Sequence, residues 1–128
     1  MSAHQLNKLV VWQKAIALAK EIYLISEALP MDEKFGLTSQ MKRCAISIPS
    51  NIAEGAGRNN PKEFIHFLGI ASGSCYELET QLILLSELQM KNNQDIMPTL
   101  QHLTEIQKMI YKLKSSLTSK GLDLNSKF

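Results

Sequence analysis

Two pairs of residues stand at a spacing that could hold a metal. Glu63 precedes His66 by three positions, and His102 precedes Glu105 by three, which puts carboxylate and imidazole on one helix face. Di-iron bundles need Glu-x-x-His on each of two helices and a further Glu on each of the other two. Only Glu63 and His66 stand in that order, and nothing supplies the rest of the set. No metal and no cofactor are predicted, and His66 reads as a helix-surface residue. No serine or cysteine has a recognisable histidine and acid arrangement, so the reading is non-enzymatic. Cys44 and Cys75 fall within apolar helical patterns and read as reduced core thiols; a disulfide between them stays open.

The other chemistry on offer is positive charge. Lys42 and Arg43 are adjacent, Arg58 and Lys62 flank a break, and Lys108 and Lys112 share a helix face. The chain carries 14 Lys and Arg against 12 Asp and Glu, a net charge of +2, so anion binding has to come from local clustering. The last segment and tail are the most basic part, with Lys91, Lys108, Lys112, Lys114, Lys120 and Lys127 against Asp95, Glu105 and Asp123. The ordinary meaning of such a run is a solvated helix surface. The GAGR run ending at Arg58 lacks the preceding strand and Lys-Ser/Thr pair of a phosphate loop. It does place Arg58 and Lys62 at a helix N-terminus, whose dipole favours anions.

Four amphipathic segments must position these residues. Val11, Ala15, Leu18, Ile22, Ile25 and Leu29 recur at steps of four and three, predicting a helix over about 9–29 that Pro30 ends. Leu37, Met41, Cys44, Ile48 and Ile52 predict a second over about 37–56, with Gly55 or Gly57 as its left-handed stop. Phe64, Leu68, Ala71, Cys75, Leu78, Leu82 and Leu85 predict a third over about 61–90. Asn60 is its N-cap, Pro61 its first residue, and Glu63 stands where a capping box would use it. Thr99, Leu103, Ile106, Ile110, Leu113 and Leu117 predict a fourth over about 96–118, with Asp95 as cap, Pro98 in the first turn and a frayed tail over 119–128.

The chain of 128 residues, 45% apolar, suffices for one core, and short breaks between four helices predict a single all-α, antiparallel up-down-up-down four-helix bundle. No apolar run reaches the roughly 20 residues of a membrane span, and no secretory leader is visible at the N-terminus. A cytoplasmic protein is expected.

Pro49 interrupts the second segment, where it removes a backbone bond at a cost of roughly 3 kcal/mol. The apolar step from Ile48 to Ile52 nonetheless continues, so a helix kinked at Pro49 is predicted, with Ser47, Ser50 and Asn51 available to bond nearby backbone. Gly69, Ser72, Gly73 and Ser74 permit close approach in the third segment, either within the bundle or against another subunit. Glu77 and Glu79 flank the core residue Leu78 and call for a cation such as Arg43 or Arg58.

The run QMKRCAISIPSNIAEGAGR (Gln40 to Arg58), with EFIHFLGIASGSCYELETQL (Glu63 to Leu82) and LVVWQKA (Leu9 to Ala15), resembles the bacterial four-helix bundle proteins encoded in 23S rRNA intervening sequences, sometimes called S23 proteins. The likeness runs from about Leu9 to Leu117. It implies a homo-oligomer, a ring-like pentamer, with a nucleic-acid role. The accessory variability proteins of diversity-generating retroelements are similar in fold and bind a reverse transcriptase and nucleic acid. Lys42 and Arg43 match basic positions of the family; no catalytic residue is implied. In a ring even a modest basic patch is repeated, which multiplies weak phosphate contacts.

The expectation is therefore an oligomeric bundle that binds RNA or DNA, structured RNA first, through Lys42, Arg43, Arg58, Lys62, Lys108 and Lys112, with Pro49, Gly69 and Gly73 at subunit contacts. The alternatives are an adaptor for a nucleic-acid enzyme or an assembly with no nucleic-acid role.

Overall fold

The apolar steps become long helices because each repeats often enough to bury a continuous face. In the computed structural model, which describes residues 3–31 and 36–122, a short turn α1 (Ala3–Leu6) precedes α2 (Val10–Glu27), α3 (Leu37–Gly57), α4 (Pro61–Glu87) and α5 (Asn93–Leu122). Helix α2 packs on α3 and α5, and α4 packs on the same two, so the four long helices form a closed bundle around one core. That core holds Leu18 and Ile22 of α2, Met41, Ile48 and Ile52 of α3, Leu68, Leu78 and Leu82 of α4, and Leu103 and Ile106 of α5, all essentially without solvent contact. Each such side chain contributes about 1.5–3 kcal/mol by leaving water.

Contacts across the seams run in opposite order along the paired helices. Between α3 and α4, Cys44 meets Glu77 and Gln81, Ser47 meets Ser74, and Gly55 meets Phe64 and Phe67. Between α2 and α5, Lys14 meets Glu105 while Glu21 meets Thr99 and His102. Between α4 and α5, Glu79 meets Gln107 and Gly69 lies near Lys114.

Helix α3 passes through Pro49 unbroken. The Asn51 side chain donates to the Ser47 carbonyl at 2.8 Å and to Ser47 Oγ at 2.9 Å, and Ser47 Oγ in turn lies 2.8 Å from Ser74 Oγ. The turn beside the proline is thus tied to its own backbone and to α4.

The helix ends differ from the expectation in several places. Neither Gly55 nor Gly57 is a left-handed stop: both lie within α3, and the positive φ of 55° belongs to Asn59. Asparagine tolerates this conformation because its short polar side chain bonds locally. Asn60 does cap α4, accepting from the Glu63 N–H at 3.1 Å. Only that half of a capping box forms, since the Glu63 carboxylate turns toward Arg58, 3.5 Å away.

Helix α4 closes at Glu87, before the predicted 90, with Gln89 at φ 59° and the Met90 N–H bonded to the Leu85 carbonyl at 2.9 Å. That is a six-to-one closure. Helix α5 begins at Asn93, so Asp95 lies inside its first turn and Pro98 beyond it. It also continues to Leu122; the rest of the predicted frayed tail, 123–128, lies outside the described residues.

Candidate nucleic-acid interface

The six basic residues do not converge. Lys42 and Arg43 lie in the second turn of α3 and Arg58 just beyond its end, fifteen residues or about 22 Å along the axis from Arg43. Lys42 Nζ sits 5.0 Å from the centre of the Tyr23 ring, which turns it toward α2. Arg43 is exposed and makes no ion pair among the described residues.

Arg58 is the most engaged of the six. Its guanidinium reaches Glu54 at 3.4 Å and Glu63 at 3.5 Å, and lies 5.1 Å from the Phe67 ring centre. It ties the end of α3 to the start of α4, and two carboxylates already oppose its charge.

Lys62 lies in the first turn of α4. It falls in line with His66, Gly69, Gly73 and Tyr76 at steps of four and three, the outer stripe of α4 beside α5. Lys108 and Lys112 are exposed on α5. Lys62, Lys108 and Lys112 make no ion pair among the described residues. Lys108 and Lys112 fall in line with Glu105, which faces Lys14 of α2, so the exposed lysines of α4 and α5 do not form one patch.

The sequence reading missed Tyr111. It is 72% exposed and falls between Lys108 and Lys114 in a stretch with no acid from Ile106 to Leu122. An aromatic residue interleaved with lysines is a recognised signal for nucleic-acid contact, and it was legible in the sequence.

The expected partners of Glu77 and Glu79 are corrected. The Cys44 thiol donates to Glu77 Oε2 at 2.9 Å, and Gln107 Nε2 donates to Glu79 Oε1 at 3.0 Å. Neither carboxylate engages Arg43 or Arg58. Burial, then the Glu77 carboxylate, push the Cys44 thiol up to about 11; burial, then Glu79, push Cys75 up to about 12. Both thiols are free.

Of the residues assigned to subunit contacts, Pro49 is covered by its own chain, on the turn following Ala45 and Ile46. Gly69 and Gly73 have room: a Cβ on Gly69 would come no nearer than 3.9 Å to Lys114 Nζ, and one on Gly73 would meet nothing within 4 Å. The close approach occurs at Gly55, where a Cβ would lie 2.8 Å from Phe67 Cβ and 2.9 Å from Phe64 Cδ1.

Two further surfaces stand out. Ile16, Ala19, Lys20, Tyr23, Leu24 and Ile46 line an open apolar groove of about 540 Å³ between α2 and α3. On the α2/α5 side, His102 Nδ1 lies 2.8 Å from Glu21 Oε2, Thr99 Oγ1 donates to Glu21 Oε1 at 3.2 Å, and Lys14 pairs with Glu105 at 2.9 Å. Among the described residues no three His, Cys, Asp or Glu side chains are grouped to hold a metal ion, and no helix is long and apolar enough to cross a membrane.

Residues 7–112 match the family described as 23S rRNA-intervening sequence protein. The chain belongs to that family. A solved structure, that of a protein of unknown function from the S23 ribosomal protein family of Bacteroides thetaiotaomicron, is similar at 27% identity with a TM-score of 0.76. The likeness covers 81% of this chain and 97% of that one. No curated protein matches the chain. The family match spans the SIPSNIAEG run.

Proposed function

We propose that this member of the 23S rRNA-intervening sequence protein family is a non-enzymatic, oligomeric bundle that binds nucleic acid, structured RNA above all, through basic patches repeated by its assembly. The observation that carries the reading is the set Lys62, Lys108 and Lys112: exposed and without ion pairs among the described residues. Lysines held in internal bridges would have little attraction left for phosphate; these keep theirs. Lys42 and Arg43 form a second, separate patch, and Arg58 contributes least because Glu54 and Glu63 oppose it.

Self-association is supported by apolar surface that a monomer leaves in water. The α2/α3 groove is one such surface; exposed apolar patches of this kind mark interaction sites. A ring or other assembly would cover some of this surface and multiply the basic patches. The groove also favours a second reading, an adaptor that seats a helix of another protein there.

A mobility-shift assay with folded rRNA fragments at low salt tests the first reading. A shift that weakens when Lys62, Lys108 and Lys112 are changed to glutamine supports it. No shift at low salt overturns it.

A further inference from the structure

The outer rim of the α4/α5 seam carries more than charge. Two cross-helix contacts mark its level: Gln107 Nε2 donates to Glu79 Oε1 at 3.0 Å, and Lys114 Nζ lies 3.9 Å from the position of a Cβ on Gly69. Tyr76 falls between Gly69 and Glu79 on α4, and Tyr111 between Gln107 and Lys114 on α5. Each is on the same helical stripe as the residues that make these contacts. The two rings therefore stand on facing helices within one stretch about 15 Å long.

Both rings are open to solvent, Tyr76 by 62% and Tyr111 by 72%, and neither hydroxyl has a partner among the described residues. Gly73 lies in the same interval, and the space above it is empty to 4 Å. Lys108 and Lys114 stand one turn before and one turn after Tyr111. Glu79 and Glu105 are engaged, by the Gln107 amide and by Lys14.

Exposed aromatic faces among lysines match the two needs of an unpaired nucleotide, a surface for its base and cations for its phosphate. A duplex buries its base faces and would use only the lysines. Protein interfaces favour tyrosine but are depleted in lysine, so Lys108 and Lys114 on either side of Tyr111 favour nucleic acid over a protein partner. We infer that the outer α4/α5 seam takes unpaired nucleotides of RNA, with Tyr76 and Tyr111 as stacking platforms and Lys108 and Lys114 as phosphate contacts. The inference rests on the nucleic-acid reading above and names what that reading binds.

The test compares a labelled single-stranded oligouridine with an RNA duplex of equal length, for the wild type, Tyr111→Ala, Tyr111→Phe and Tyr76→Ala. Both tyrosines are exposed, so matched thermal melts establish that the variants fold. Tyr111→Ala is expected to weaken single-strand binding about five- to hundredfold, while its duplex affinity stays within about twofold and Tyr111→Phe keeps the single-strand affinity. With 4-thiouridine in the oligonucleotide, crosslinks should fall on peptides containing Tyr76 or Tyr111.

If both alanine variants bind the single strand as the wild type does, while lysine variants lose binding, the seam is overturned and the broader nucleic-acid reading stands. If the wild type binds neither RNA at low salt, both fall. A change of sedimentation in Tyr111→Ala without a change in RNA affinity would make the seam a protein contact and overturn the inference.

Discussion

Cys44 donates its thiol proton to Glu77 Oε2 across 2.9 Å, joining α3 to α4. Gln81 adds a second contact, its amide lying 3.4 Å from the sulfur. The carboxylate that could have sought an arginine instead finds a neutral donor. That leaves Arg43 without an ion pair among the described residues and links the bundle's internal polar contacts to the charge displayed outside.

Burial of the thiol, and then this bond, set a pH dependence. Cys44 is raised to about 11 from an unfolded value of about 9, so the folded state holds this proton more tightly. The resulting stability is complete below about pH 9 and is lost as pH rises toward 11. Urea midpoints should stay level through pH 8 and then fall between pH 9 and 11, with a smaller fall in Cys44→Ser. A midpoint that rises over that range would contradict the assignment. Cys75, raised to about 12, loses its contribution over a range extending higher still. At pH 8 neither thiol should react with a disulfide reagent until denaturant is added.

Glycine substitutions should separate packing from surface. Gly55→Ala drives a Cβ to 2.8 Å from Phe67 Cβ and 3.3 Å from Phe64 Cα, and should cost about 1–3 kcal/mol. Gly73→Ala enters open space within a helix and should stabilise the folded monomer by about 0.5–1 kcal/mol. Denaturant titrations of the two variants check the opposite signs. If Gly73 lies at a subunit contact, sedimentation will show weaker assembly in a variant whose fold is no less stable.

The α2/α5 seam should depend more on Glu21 than on its neighbouring bridge. Thr99 is buried and its hydroxyl donates to Glu21, so Glu21→Ala strands that hydroxyl at about 1–3 kcal/mol. Glu105 faces solvent; Lys14, first by its hydrogen bond and then by its charge, holds its carboxyl below the usual range. An exposed pair of this kind adds little, and Glu105→Gln should melt close to the wild type. Equal losses in the two variants would remove the distinction.

Much of the fold was legible because its information is local. The stripe from Leu68 through Ala71, Cys75, Leu78 and Leu82 to Leu85 is buried throughout, and Asn60 with Pro61 marked the start of α4 to the residue. Gly55 was misread because glycine near a helix end usually signals a stop, and nothing nearby in sequence reveals that Phe64 and Phe67 close over it. The thiol on Glu77 was equally invisible, since it joins residues 33 positions apart.

The candidate site was legible as a set of lysines but not as a surface. Which of them share a face depends on how α4 meets α5, and that is fixed by the Glu79–Gln107 bond and the approach of Lys114 to Gly69. The sequence offers Arg58 to Glu77 or Glu79, but its partners are Glu54 one turn before it and Glu63 across the helix break.

The most direct test is the salt dependence of RNA binding by three charge-neutralised variants against the wild type. Anisotropy with a labelled, folded rRNA fragment should give a logarithmic affinity that falls linearly with log salt. In Lys62→Gln/Lys108→Gln/Lys112→Gln the slope should shrink by about 0.7–0.9 for each phosphate that is no longer neutralised. Arg58→Gln should change it least, and Lys42→Gln/Arg43→Gln by an intermediate amount. A wild type that binds no RNA at low salt, or a triple variant with the wild-type slope, would contradict the account.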